Sequence, residues 1–214
     1  MGRNRAAKKL NEELFLAPQE AAKILAVAKE RGPEWYLPLF IPRYTGLRCI
    51  EMLHIRVRDI RFDLNRIFCW TAKTKTGAVF VGCTCGGYTE NKGVRDSVPF
   101  KKEVGVVLRG WIEYHMLSPD DWIFPSRKNR MRHLSTARIR QIFDDVSRWA
   151  KVPKVPQRGI HSLRHLVGTE VAELTDGNPF KVQKFLRQSN VASAEAYVHV
   201  RNLAKIAEGI GEVE

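Results

Sequence analysis

The chain is predicted to be mainly α-helical with a small antiparallel β-sheet, an α+β class. Apolar residues recur at helical spacing through most of its 214 residues. One stretch near residue 70 switches to two-fold alternation, and Gly and Pro clusters punctuate the segments without internal repeats or low-complexity tracts. The length suits one well-formed core with short tails better than two domains.

Residues 1–14 carry Arg3, Arg5, Lys8 and Lys9 among small and polar residues, a basic arm or the frayed start of a helix. Pro18 opens the first helix, with Ala21, Ile24, Leu25 and Ala28 on its core face and Gly32-Pro33 as its stop. A second helix runs from Glu34 through Arg43, bent or interrupted by Pro38 and Pro42. Gly46 can turn the chain, and Arg48 opens a short amphipathic segment with Ile50, Leu53 and Ile55 inward and Glu51 one turn on. Ile67, Cys69 and Thr71 then alternate with Phe68, Trp70 and Ala72 as a strand. Residues 78–81 and 94–99 suggest two more strands on either side of a Gly-rich loop.

Everything later reads as helix, apart from a short apolar piece at Trp122 to Phe124. Val104, Val107, Leu108 and Trp111 share one helix face; Ile139, Ile142, Phe143, Val146 and Trp149 share another, capped by Ser135 or Thr136. A stiff basic connector, residues 151–159, delivers His161 to a helix that runs to about Leu174. A short helix with Val182, Phe185 and Leu186 follows, and Asn190 can cap the next, which carries Tyr197. The tail from residue 201 has Leu203, Ile206 and Ile210 as an apolar stripe to bury in cis or on a neighbour.

A net charge of +13 and a sequence pI near 9.9 favour a polyanionic partner, for which a nucleic-acid backbone is the commonest candidate. A membrane fits poorly. The longest apolar run, Trp35 to Ile41, is short and broken by Pro38, and the first ten residues lack the apolar segment of a signal peptide. The expectation is a soluble, cytoplasmic, DNA-associated protein. Of the cysteines Cys49, Cys69, Cys83 and Cys85, only the last pair is close, and no second ligand pair completes a zinc site. Buried or loop thiols fit better than disulfides, and without a carboxylate cluster no metal or other cofactor is expected.

His161, Arg164 and His165 fall on one helix face. Such a set is more often surface or satisfied core than chemistry, so it needs partners elsewhere in the chain. Arg48 is one. Two arginines can clamp the non-bridging oxygens of a phosphodiester and neutralise the charge that grows as phosphorus becomes five-coordinate. A tyrosine hydroxyl, with an ordinary pKa of about 10, needs a neighbouring base and cationic surroundings to act as a nucleophile. A lysine on a hairpin can protonate the departing oxygen. The basic loop with Arg127, Lys128, Arg130 and Arg132 is either a solvated face or a phosphate contact.

In their order and spacing these residues resemble the catalytic domain of the tyrosine recombinases, the phage integrase family. The resemblance rests on TGLRCIEML with Arg48 and Glu51, the basic stretch TAKTKTG, HSLRH with His161, Arg164 and His165, and AEAYVHV with Tyr197, and it covers residues 15–200. It implies that fold, double-stranded DNA as partner, a homo-multimer (a tetramer on paired sites), and strand exchange without metal or ATP. By similarity Tyr197 attacks the scissile phosphate to give a 3′-phosphotyrosyl link, and Arg48 and Arg164 clamp the phosphate. His161 accepts the tyrosine proton or hydrogen-bonds the phosphate; Glu51 and His165 support the site.

Three departures stand out. Where the family commonly has LGH, this chain has LRQ, placing an uncharged Gln188 nine residues before Tyr197. The hairpin is long, which leaves Lys75, Lys73 and Lys92 as candidate proton donors, with Lys75 fitting the common pattern best. The family's N-terminal core-binding domain is expected to be absent, as in a minimal recombinase or a catalytic fragment. Relaxation of supercoils in the manner of a type IB topoisomerase, or DNA binding by a catalytically weak regulator of the same fold, are the alternative readings.

Overall fold

A computed structural model describes residues 15–70 and 95–198. Its elements are α1 (Pro18–Arg31), α2 (Pro33–Thr45), α3 (Cys49–Leu53), a 3-10 turn (Val57–Asp59), β1 (Ile60–Arg61), β2 (Arg66–Trp70), β3 (Arg95–Pro99), α4 (Lys102–Tyr114), α5 (Thr136–Trp149), α6 (His161–Leu174) and α7 (Pro179–Leu186). A further helical stretch over residues 192–198 carries Tyr197. The α+β expectation holds: helices surround a three-stranded antiparallel sheet of order β1-β2-β3, in which Ile67 faces both Ile60 and Val98 across the strands. No helix among the described residues is long and apolar enough to cross a membrane.

Helix α2 is central to the packing. Leu37 through Pro42 are all buried, and α2 packs against α1, α3, α4, α5 and α6. Pro38 and Pro42 were expected to bend or interrupt it; they do not interrupt it, and α2 is a single helix containing both. Each proline removes a backbone donor, but burial of the apolar run on several sides outweighs the lost bonds. The surrounding helices keep their predicted faces: Ala21, Ile24, Leu25 and Ala28 of α1, and Ile139, Ile142, Phe143 and Val146 of α5, are buried. Ser135 caps α5 by accepting the Arg138 N–H at 3.1 Å. Asn178 caps α7, and Asn190 Oδ1 accepts the Ala192 N–H at 3.0 Å ahead of the last helix.

Two apolar clusters meet at the site. The larger gathers α1 to α5, the sheet and the first turns of α6. The smaller consists of Val167, Ala172, Val182, Leu186, Ala194 and Tyr197, with Phe15 against it. Helix α6 belongs to both, and the bidentate ion pair of Arg43 to Glu170 (2.9 and 2.6 Å) ties it to α2. The side chains between the clusters, at Arg48, Glu51 and Arg164, are the polar ones. Residues 78–81 and the Gly-rich loop lie outside the described residues, as do the basic arm and the apolar tail.

Candidate active site

Gly46 starts the construction. It ends α2 in the left-handed region at φ 63°, and a Cβ there would sit 3.0 Å from the Leu186 side chain, so glycine serves both the turn and the approach of α7. The turn places Arg48 at the N-terminal end of α3. Glu51, three residues on, accepts the Arg48 N–H at 2.9 Å through Oε2 and the Arg48 guanidinium at 2.5 Å through Oε1. This carboxylate is 1% exposed. Burial alone would raise its pKa, but the charges of Arg187, Arg48 and Arg164 hold it below the ordinary carboxylate value.

Arg164 on α6 is 2% exposed and donates through its two Nη groups to the backbone oxygens of Gly46 and Leu186. It thereby joins α2 to α7, while Nη1 stands 3.9 Å from Glu51. Burial and the Arg48 charge pull Arg164 down to about 9, so it still carries its proton at neutral pH. Among the described residues both arginines use only part of their donor forks, and a guanidinium can offer the rest to an anion.

Tyr197 is 2% exposed and lies along α6, one turn beyond Arg164. Its ring is seated on Gly168, where an added Cβ would come within 2.7 Å of the ring carbon Cε1. The hydroxyl lies 2.9 Å from Nδ1 of His165, in a shared hydrogen bond. Phe15 covers this pair from outside, tilted against the His165 ring at 5.5 Å and edge-on to the tyrosine. Burial raises the Tyr197 pKa; the Arg164 and Arg48 charges and the Gln188 amide draw it partly back. His165 is pushed down to about 4, first by burial and then by Arg164, so its ring is neutral and able to accept a proton.

Arg48, Glu51, Arg164, His165, Gln188 and Tyr197 are thus brought together as the sequence suggested. His161, expected to take the tyrosine proton or to hydrogen-bond the phosphate, is exposed, with its ring 4.6 Å from the His165 ring; it is His165 that meets the hydroxyl. The difference is one helical turn. The residue four before Gly168 is Arg164 and the residue three before it is His165, so His165 shares the tyrosine's side of α6 while His161 sits a turn further out. The side-chain oxygen of Gln188 is buried without a partner among the described residues. Arg127, Lys128, Arg130 and Arg132 are exposed on a loop that joins the site's frame through His133, whose Nε2 lies 3.2 Å from Nε2 of His54 at the end of α3. Lys75, Lys73 and Lys92 lie outside the described residues.

Two site residues escaped the sequence reading. Gly168 did leave a signal, since glycine inside a strong helix is unfavourable without a packing reason. Arg187 left none beyond its place in LRQ. Its side chain is 2% exposed and donates to Glu51 Oε2 at 3.0 Å. Cys49 and Cys69 are free thiols pushed up by burial to about 11 and about 12, which makes them packing residues, as expected. Among the described residues no group of three or more His, Cys, Asp or Glu side chains is placed to hold a metal ion.

The site therefore gathers cationic forks, a neutral imidazole and a hydroxyl about one point, an arrangement suited to receiving an anion beside a potential nucleophile. The chain belongs to the phage integrase family, whose pattern matches residues 15–203. It is 28% identical over 188 residues to a tyrosine recombinase of Pseudothermotoga lettingae and 26% identical over 195 residues to the tyrosine recombinase XerC of Corynebacterium glutamicum. Those matches cover 87% and 88% of this chain but only 56% and 55% of the relatives, so the chain spans about half their length. Among solved structures, the XerH site-specific recombinase bound to palindromic difH matches with a TM-score of 0.70 at 18% identity, over 93% of this chain and 53% of that one. The catalytic domain of bacteriophage HP1 integrase matches with a TM-score of 0.54 at 16% identity, over 94% of this chain and 98% of that one. The fold is that of a tyrosine recombinase catalytic domain.

Proposed function

We propose that the chain is the DNA-cleaving and rejoining domain of a site-specific recombinase acting on double-stranded DNA as a homo-multimer, through a covalent tyrosine intermediate. The observation that carries this reading is the Tyr197 hydroxyl bonded to neutral His165, with the charges of Arg164 and Arg48 near enough to oppose the rise that burial gives its pKa. Three guanidiniums face one buried carboxylate here, so an entering phosphodiester supplies counter-charge that the protein lacks.

In the cleavage step the Tyr197 Oη attacks phosphorus and its proton passes to His165 Nδ1. The bond from phosphorus to the 5′ oxygen breaks, and that oxygen takes a proton from a hairpin lysine, Lys75 or else Lys73 or Lys92. A 3′-phosphotyrosyl link and a free 5′-hydroxyl result. Attack by a 5′-hydroxyl reverses each transfer and rejoins the strand, so the phosphoester bond is exchanged without being lost to water. Burial and, after it, the Arg164 charge keep the imidazole a weak base; a bound phosphate offsets that charge and raises its basicity in the step. In this reading His161 at the rim hydrogen-bonds the phosphate, and Gln188 offers a polar amide in place of a charged ring. Arg127, Lys128, Arg130 and Arg132 extend the positive surface along the duplex backbone.

The test is covalent capture. The protein is incubated with a library of nicked duplexes of randomised sequence, and adducts that survive hot detergent are recovered. Wild type is expected to yield adducts and Tyr197→Phe none. DNA binding without any adduct would reduce the protein to a DNA-binding regulator.

A further inference from the structure

The turn that ends α7 is built around a residue that the cleavage chemistry does not use. Arg187 takes the left-handed conformation, φ 51° and ψ 49°, which glycine enters freely and arginine enters at a cost. Its backbone N–H closes α7 onto Gln183 and Lys184. Its side chain does not turn to solvent, as a surface arginine's would. It folds inward, donating to the Phe185 oxygen at 3.1 Å and to Glu51 Oε2 at 3.0 Å, and its Nε is buried without a partner among the described residues.

Each neighbour of Arg187 touches the site. The oxygen of Leu186 before it accepts from Arg164, and Gln188 after it acts on Tyr197. Glu51, at the far end of its side chain, holds the Arg48 guanidinium with its other oxygen. One strained residue therefore stands between the clamp and the nucleophile.

We propose that Arg187 is a positioning residue for strand cleavage: through Glu51 it fixes the direction of the Arg48 fork, and through the turn it sets Gln188 against Tyr197. The inference rests on the proposed recombinase reading and deepens it. A lysine reaches Glu51 with a charge but without a planar fork, and a glycine relaxes the turn and leaves Glu51 to Arg48 and Arg164.

The test compares wild type, Arg187→Lys and Arg187→Gly on a duplex recovered by covalent capture with wild type. The cleavage rate at saturating DNA, the Kd for the same duplex and the Tm are measured. Misdirecting one clamp residue should slow cleavage in Arg187→Gly roughly 10- to 100-fold, with Arg187→Lys intermediate and Kd changed by no more than about twofold. Wild-type rates in both variants overturn the proposal, as do rate losses matched by losses of DNA affinity and Tm. Should Arg187→Gly not fold, an intermediate rate at unchanged Kd and Tm in Arg187→Lys supports the role, and a wild-type rate there overturns it. A wild type that captures no duplex overturns the recombinase reading and this inference with it; a wild type that cleaves while the variants match it overturns this inference alone.

Discussion

At the residue scale the decisive contact is the 2.9 Å hydrogen bond between His165 and Tyr197. Removing a general base from a proton in flight costs about 10²- to 10⁴-fold in rate. His165→Ala should therefore slow covalent adduct formation at saturating DNA by that order, while His161→Ala loses less; burst kinetics on one duplex would rank them, and the reverse order would return the base role to His161. Gly168 makes a second prediction of opposite sign to helix propensity. Alanine in a helix interior normally gains about 1 kcal/mol over glycine. Here its Cβ would meet the Tyr197 ring at 2.7 Å, so Gly168→Ala should fail to raise the Tm and should slow cleavage by displacing the nucleophile. HSLRH and Tyr197 were readable as a set because their chemistry is tied to residue type. Which histidine meets the hydroxyl was not readable, since it depends on how the last helix lies against α6.

At the element scale, α3 is a short helix made to carry one buried carboxylate among three arginines. Removing one partner of a buried ion pair costs about 3–5 kcal/mol because it strands the other. Glu51→Gln should lower stability by that order, or roughly 10 °C in Tm for a chain of this size, although Glu51 touches no DNA in the proposed mechanism. An unchanged Tm by calorimetry would show that the cluster is held some other way. Periodicity made α1, α4, α5 and α6 legible, the last with its limits at His161 and Leu174. Helix α2 was legible as well, though not its uninterrupted run through two prolines, where burial outweighs local propensity. Two features were hidden for physical reasons. Strand β1 is two residues long, too short to show alternation. Arg187 adopts a backbone conformation that predicts glycine, so nothing local marked its inward turn.

At the scale of the whole molecule, the site is where the larger and smaller apolar clusters meet, and the polar groups trapped there make folding depend on pH. Burial holds His165 and His54 down to about 4, well below the ordinary 6.5. In the unfolded chain both would bind protons first as the solution is acidified. Their contribution is full above pH 6.5 and is lost as pH falls from 6.5 towards about 4. A decline of up to about 4 kcal/mol between pH 7.5 and pH 5 is expected, read from denaturant midpoints. Glu51 adds little in that window, since its depressed pKa keeps it charged to lower pH. Flat stability from 7.5 to 5 would mean that these imidazoles reach water.

The central claim is that Tyr197 becomes covalently joined to DNA, and the product itself tests it most directly. A captured wild-type adduct, digested with nuclease and protease, should give a peptide containing Tyr197 with a nucleotide 3′-phosphate on its oxygen, identified by mass spectrometry, and the partner DNA end should carry a free 5′-hydroxyl. The nucleotide on another residue, a 5′-phosphate linkage, or adducts persisting in Tyr197→Phe would contradict the account.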